Sequence, residues 1–239
     1  MDKYLEPTYL LDFNDQTIQD LINTKGWNKL DEKEKIMQIY NYVRDTIRFG
    51  YNPEDKIPAS KVLDIGYGQC NTKGILLMAL LRAVKIPCRF HGFTVDKKLQ
   101  KGIMTGIWYK LCPESIVHSW VEVFYNNSWL SLEGVILDEP YLKSTQVMFK
   151  CNEKNFNGYG VATADLLKPE IYWNENSTFI QKDAITSDLG IFDNPDLFFN
   201  KHSQRLNLPE KILYRNIVRH ILNNNVKRIR KTDLNDNEK

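Results

Sequence analysis

The chain has 239 residues, 42% hydrophobic and 26% charged, the composition of an ordinary globular protein, which excludes disordered and fibrous classes. Its 32 basic and 30 acidic residues leave a net charge of +2, too balanced for the whole surface to act as an anion-binding field. Apolar runs such as Ile75 to Leu81 fall far short of the roughly 20 residues of a membrane span, and Met1 to Pro7 does not read as a secretory signal, so the expected location is the cytoplasm.

In chain order, Asp31 followed three residues later by Glu34 has the form of a capping box. Ile36, Ile39, Tyr40, Val43 and Ile47 then recur at helical spacing, which predicts a helix ended by Gly50. Tyr51 to Leu63 holds two prolines and reads as loop. A glycine-rich turn, Gly66 to Cys70, runs into Asn71 to Val84, an apolar and mostly buried helix stopped by Pro87. Cys88 to Val95 reads as a strand. His118 to Tyr125 reads as a second strand, Asn126-Asn127 as a tight turn and Ser128 to Leu132 as its return. Gly158 to His202 is loop-like, dense in Asn, Asp and aromatics, and within it the aromatic and acidic segment from Tyr159 to Phe199 is either a wrap near the cleft that restricts substrates or a structural cover. Pro209 opens a last amphipathic helix to about Ile229.

The cysteines Cys70, Cys88, Cys112 and Cys151 contain no CxxC pair, so neither a structural zinc site nor a disulfide framework is expected. No metal and no cofactor are expected. Cys70 differs from the rest in its position: at the start of a buried helix, free N–H groups and the positive end of the macrodipole favour a thiolate. His118 opens a strand and is the candidate base for that thiol. If Asn126 and Asn127 are the central turn residues, Glu133 faces Trp120 and Val135 faces His118, which puts Glu133 one diagonal step from the imidazole on the same face. The sequence thus permits a triad of Cys70, His118 and Glu133, in which the carboxylate fixes the ring's tautomer.

The stretch GYGQCNTKGILLMALLRAVKIPCRFHGF, then HSWVEVF, then Trp129 with Glu133 four positions on, resembles the core of the transglutaminase-like superfamily, over roughly Ile36 to Asp138. That resemblance implies a papain-like fold with Cys70 as nucleophile, His118 as base and Glu133 as orienting acid. Two departures stand out. The superfamily's third residue is usually Asp, so Glu133 is one methylene longer and Asp138 is a candidate assistant; and Asn71 follows Cys70 where the cross-linking enzymes resemble GQCW. Large flanking β domains and calcium-type acidic clusters are also lacking, which disfavours calcium-switched cross-linking. For the oxyanion, the Cys70 N–H is the natural donor, with Gln69, Tyr51 or Tyr67 as candidates for the second.

Cys88 and His91 form a C-x-x-H pair but point to opposite faces of a strand and read as structural; Cys112 and Cys151 carry no assigned role. In the last helix, Leu213, Ile217 and Ile221 with Tyr214, Val218 and Leu222 make an apolar stripe. Eight basic residues, Arg205, Lys211, Arg215, Arg219, Lys227, Arg228, Arg230 and Lys231, cluster around it. Packing with a solvated basic edge is preferred over membrane or nucleic-acid binding, for which no motif is present. The expected architecture is an α+β, papain-like core with N-terminal helices (1–140), carrying its nucleophile at a helix N-terminus packed on an antiparallel sheet. A C-terminal extension (141–239), packed on the core, completes it. The expected function is a cysteine-dependent hydrolase of peptide or isopeptide amides acting through an acyl-enzyme. The alternatives are transfer of the acyl group to an amine, and a non-catalytic binding module retaining the fold.

Overall fold

The computed structural model of the protein describes residues 1–149, 154–204 and 206–232, so Cys151 and Arg205 lie outside the described residues. The first helix, α1 (Gln16–Lys25), is capped by Asp15, whose side chain accepts from the Thr17 N–H at 2.8 Å, and ends at Gly26 in the left-handed conformation that glycine adopts without steric cost. Helix α2 (Glu32–Asp45) starts where the capping signal placed it, with Asp31 accepting from the Glu34 N–H at 2.8 Å. It stops at Asp45 rather than Gly50, because Arg48–Phe49 (β1) is drawn into parallel pairing with Tyr67–Gly68 (β2). This small ladder ties the end of α2 to the turn in front of Cys70. The proline-bearing stretch expected as loop contains helix α3 (Ala59–Ile65), with Pro58 at its N-cap.

Helix α4 (Cys70–Ala83) is the centre of the fold, and its residues from Asn71 to Arg82 are all buried. It lies between α2 and α3 on one side and the main sheet on the other. That sheet has the order β5-β4-β3-β8 and is antiparallel throughout: β3 (Cys88–Asp96), β4 (Ser115–Tyr125), β5 (Ser128–Ser131) and β8 (Ile185–Phe192). The expected Asn126-Asn127 turn is present, with φ of 48° and 60°, the successive left-handed residues that match a hairpin's twist. Between these strands the chain adds α5 (Gly106–Leu111), α6 (Glu139–Met148), and a separate hairpin of β6 (Lys154–Gly158) and β7 (Val161–Asp165).

The segment from Gly158 to His202, expected to be loop-like, supplies β7, the edge strand β8 and helix α7 (Pro195–Lys201). Alternating polar residues in Ile185–Phe192 give no apolar run, and the strand forms because β3 offers it a free edge. The last helical stretch runs on without a break through α8 (Leu208–Leu213), a π-helical turn (Tyr214–Val218) and α9 (Arg219–Arg230). Its buried residues are Val218, Leu222, Val226 and Ile229, whereas Ile217 of the expected stripe is 48% exposed, since the extra residue in the π turn rotates the apolar face.

Arg230 departs from the expected basic edge. It turns inward and donates to both oxygens of Asp138, at 2.9 and 2.7 Å, and to the Phe49 carbonyl. Asp138, itself fully buried, also caps α6 through the Tyr141 N–H and accepts from the Phe49 N–H. Burial works to raise its pKa, but Arg230, the Phe49 amide and Lys73 outweigh this and hold it below the usual range. Lys73 is buried beside this group, with Nζ donating to the Arg44 carbonyl at 2.9 Å, and burial pushes it down to about 7. Asp138→Asn keeps the shape but leaves Arg230 without its counter-charge. It is expected to cost about 3 kcal/mol, typical of breaking a buried pair on one side, read as a lower urea midpoint.

Candidate active site

The turn ahead of α4 fixes where Cys70 sits. Gly50 and Gly68 bring the two short strands together, with the Gly50 N–H donating to the Gly68 carbonyl at 3.0 Å, and Thr72 accepts from the Gln69 N–H at 3.1 Å to close the first turn of the helix. Cys70 is then the first helical residue and half-buried, and its N–H has no partner within the helix. Asn71 ties this helix end to β4: its Nδ2 donates to the Val117 carbonyl at 3.3 Å, and its Oδ1 accepts from the Ser119 hydroxyl at 2.7 Å. The residue that departs from the cross-linking enzymes' pattern therefore fastens the thiol's helix to the histidine's strand.

His118 is buried on β4 and lies edge-on to Trp120, which stacks on Phe93 with centroids 3.9 Å apart. Its Nε2 meets Glu133 Oε1 at 2.9 Å. Glu133 reaches this position by a route the strand pairing did not anticipate. Pairing of β5 with β4 ends at Ser131 opposite Glu122, so Glu133 and Val135 do not face Trp120 and His118; the chain turns inward as a 3-10 turn over Glu133–Val135. The cause is Thr178, whose carbonyl accepts from the N–H groups of Glu133 and Gly134. The other carboxylate oxygen, Oε2, accepts from the backbone N–H groups of Ile180 and Gln181 at 2.9 and 3.0 Å. Asp138, considered as an assistant to Glu133, is committed instead to Arg230 and Phe49.

Cys70 and His118 line one narrow cleft together with Phe49, Tyr51, Gln69, Gln100, Val117 and Gln181. The ring's Nδ1 is buried and makes no hydrogen bond among the described residues. The thiol is nevertheless close enough to act on it: burial opposes a charged ring, but Cys70 and then Glu133 outweigh this and push the His118 pKa up to about 10 from 6.5. Near contact without a tight bond is the loose geometry common in unliganded thiol sites. In Cys70→Ala the larger of the two favourable influences is gone. His118 is then expected to titrate well below its wild-type value, read from its ring-proton chemical shifts, and an unmoved titration would separate the two side chains.

Of the three candidates for the second oxyanion donor, Gln69 and Tyr51 reach the cleft wall, but their polar atoms are engaged. Gln69 Oε1 accepts from the Asn52 N–H at 2.8 Å and Nε2 donates to Asp55 at 3.1 Å, while the Tyr51 hydroxyl donates to Gln100. Tyr67 does not line the cleft; its hydroxyl accepts from Arg219 at 3.3 Å. Cys88 is buried against α4, whereas His91 sits between Glu122 at 2.7 Å and Asp188 at 3.0 Å, so the C-x-x-H pair is split between two faces. Among the described residues, no group of three or more His, Cys, Asp or Glu is placed to hold a metal, and Cys70, Cys88 and Cys112 are free thiols. No helix among them is long and apolar enough to cross a membrane.

Sequence reasoning missed the amides of Ile180 and Gln181, because a backbone N–H leaves no mark in residue identity. The dense polar text around them showed only that the segment was irregular. Its course past Glu133 makes part of the expected cover a support for the carboxylate.

The protein is similar in structure to one from Cytophaga hutchinsonii named as a candidate cysteine protease, with a TM-score of 0.45 and 13% sequence identity. The likeness covers 81% of this chain and 47% of that one, so this chain spans less than half of that protein's length. No curated protein matches the chain. Residues 21–134, just under half of the chain, match the sequence model of the transglutaminase-like superfamily, and the matched stretch holds Cys70, His118 and Glu133. The α+β arrangement, with α4 presenting Cys70 against an antiparallel sheet that bears His118, is the one that this similarity implies, and residues 21–134 are similar in sequence to the core of that superfamily.

Proposed function

We propose that the protein is a cysteine-dependent hydrolase of peptide or isopeptide amides, using Cys70, His118 and Glu133. The observation that carries this reading is the fixed carboxylate: Glu133 bonds His118 Nε2 with one oxygen and two backbone N–H groups with the other, leaving Nδ1 for the thiol. In this reading the Cys70 sulfur, its proton held by His118, attacks the amide carbon, and the Cys70 N–H steadies the oxyanion. The C–N bond breaks as His118 gives the proton to the leaving amine. A water molecule, deprotonated by His118, then attacks the thioester and releases the acid and the free thiol.

The deciding assay follows peptide and glutaminyl substrates to end point, measuring both acid release and incorporation of an added amine. Acid release without amine incorporation supports hydrolysis, and predominant incorporation would replace it by acyl transfer. Activity that persists in Cys70→Ala would overturn both and leave a binding module on the same fold.

A further inference from the structure

Strand β4 has two unlike edges beside the site. Toward β3 it is paired from Ser115 to Val123. On its other side β5 pairs only with Glu122–Tyr125, so along Ser115–Ser119 no strand among the described residues covers that edge. Val117 on this stretch lines the cleft with Cys70 and His118. An uncovered strand edge presents N–H and C=O groups ready to pair with another chain.

Three of those groups are taken by side chains: Asn71 Nδ2 donates to the Val117 carbonyl at 3.3 Å, and Gln204 holds the other two. Gln204 Oε1 accepts from the Val117 N–H at 3.0 Å, and Gln204 Nε2 donates to the Ser115 carbonyl at 3.2 Å. One acceptor and one donor, side by side and spanning residues two apart, is the pair that a single residue of a strand added parallel to β4 would present there. A side-chain amide thus occupies the place of a peptide main chain, one residue from His118. Gln204 comes from the stretch between α7 and α8, and it reaches the edge through its side chain rather than by strand pairing, as its own carbonyl accepts from the Leu206 N–H.

We propose that the open edge of β4 at Ser115–Val117 binds the main chain of an extended peptide, and that the Gln204 side chain is a built-in plug which this peptide displaces. This inference rests on the thiol-hydrolase reading and narrows its substrate class to peptide segments able to extend. Main-chain pairing supplies affinity with little regard to sequence. Folded helical or turn segments, which satisfy their own N–H and C=O groups, are poor ligands for such an edge. The plug lowers the apparent affinity of every peptide by the same factor, since each must first break the two Gln204 bonds.

The test compares labelling of Cys70 by iodoacetamide, which has no peptide main chain, with labelling by an acetyl-tripeptidyl chloromethyl ketone and its backbone N-methylated counterpart. Gln204→Ala is expected to speed the tripeptidyl reagent roughly five- to tenfold, the worth of about one exchanged hydrogen bond, and to leave iodoacetamide unchanged. N-methylation is expected to remove that gain. In parallel, hydrogen exchange at the Val117 amide is expected to quicken in Gln204→Ala and to slow again when an unreactive tripeptidyl methyl ketone is added. An unchanged ratio of tripeptidyl to iodoacetamide rates in Gln204→Ala, or no protection of Val117 by the methyl ketone, would overturn the proposal. Iodoacetamide labelling indifferent to His118→Ala would instead strike the thiol reading itself, and the exchange experiment, which needs no reactive cysteine, would still decide the edge.

Discussion

Replacing His118 with alanine is expected to slow acylation of Cys70 by about ten-thousandfold, the scale on which thiol and hydroxyl nucleophiles lose their base. Three features set this size. The ring is buried, so no water chain substitutes easily for it. Its pKa is pushed up to about 10, so the charged ring is the favoured form through the neutral range and is lost only as pH rises through that value. The Nε2 bond to Glu133 fixes which nitrogen faces the thiol. Burst titration with an activated ester, beside a circular dichroism spectrum showing the fold intact, measures the loss. A variant that acylates within tenfold of wild type would remove His118 from the chemistry. Wild-type activity is correspondingly expected to fall on the alkaline side as the imidazolium deprotonates.

Glu133→Gln is expected to cost both activity and stability. The carboxylate accepts three hydrogen bonds in a fully buried site, from His118 and from the Ile180 and Gln181 N–H groups. A glutamine has one acceptor oxygen and one donor nitrogen, so its NH2 group either faces the two backbone donors or faces His118 Nε2, which then must accept and hold the ring in the tautomer that cannot take the thiol's proton. Leaving buried donors unsatisfied costs about 1–3 kcal/mol, and the imidazolium loses the charge that stabilises it. The expected outcome is a drop in kcat of roughly a hundredfold or more, with a lower urea midpoint and a His118 pKa moved down. Glu133→Asp separates these effects. The shorter side chain cannot span from Nε2 of His118 to the amides of residues 180 and 181, so the superfamily's usual residue is expected to be worse here than Glu. Equal activity of the two would show that the backbone amides do not set the acid's position.

The longer acid at position 133 follows from the path of the chain around it. Because Thr178 pulls Glu133 and Gly134 out of the hairpin, the backbone approaches His118 from a 3-10 turn, and the segment carrying Ile180 and Gln181 passes directly behind the carboxylate. The sequence placed Glu133 beside His118, where the structure also has it, but through incorrect geometry. Strand parity placed Glu133 on the face of His118, and the observed contact arises after the strand has ended.

What the sequence by itself determined is the set of locally encoded features. Asp31 and Glu34 start α2, the apolar text after Cys70 makes a buried helix, and Asn126-Asn127 closes the hairpin, because capping, periodicity and left-handed turn preference act within a few residues. Cys70 stood out for the same reason, as the first residue of α4, whereas His118 lies inside β4 and Glu133 in a turn beyond β5, so their meeting is not a local feature. The tertiary structure alone decided the remainder. It made Ile185–Phe192 a strand by offering it the edge of β3, turned Arg230 inward onto Asp138, fastened Asn71 to β4 and set the amides of Ile180 and Gln181 behind Glu133. These outcomes join residues tens of positions apart through backbone groups and buried charges, whose partners are chosen by packing rather than by neighbouring sequence, and so no local pattern announces them.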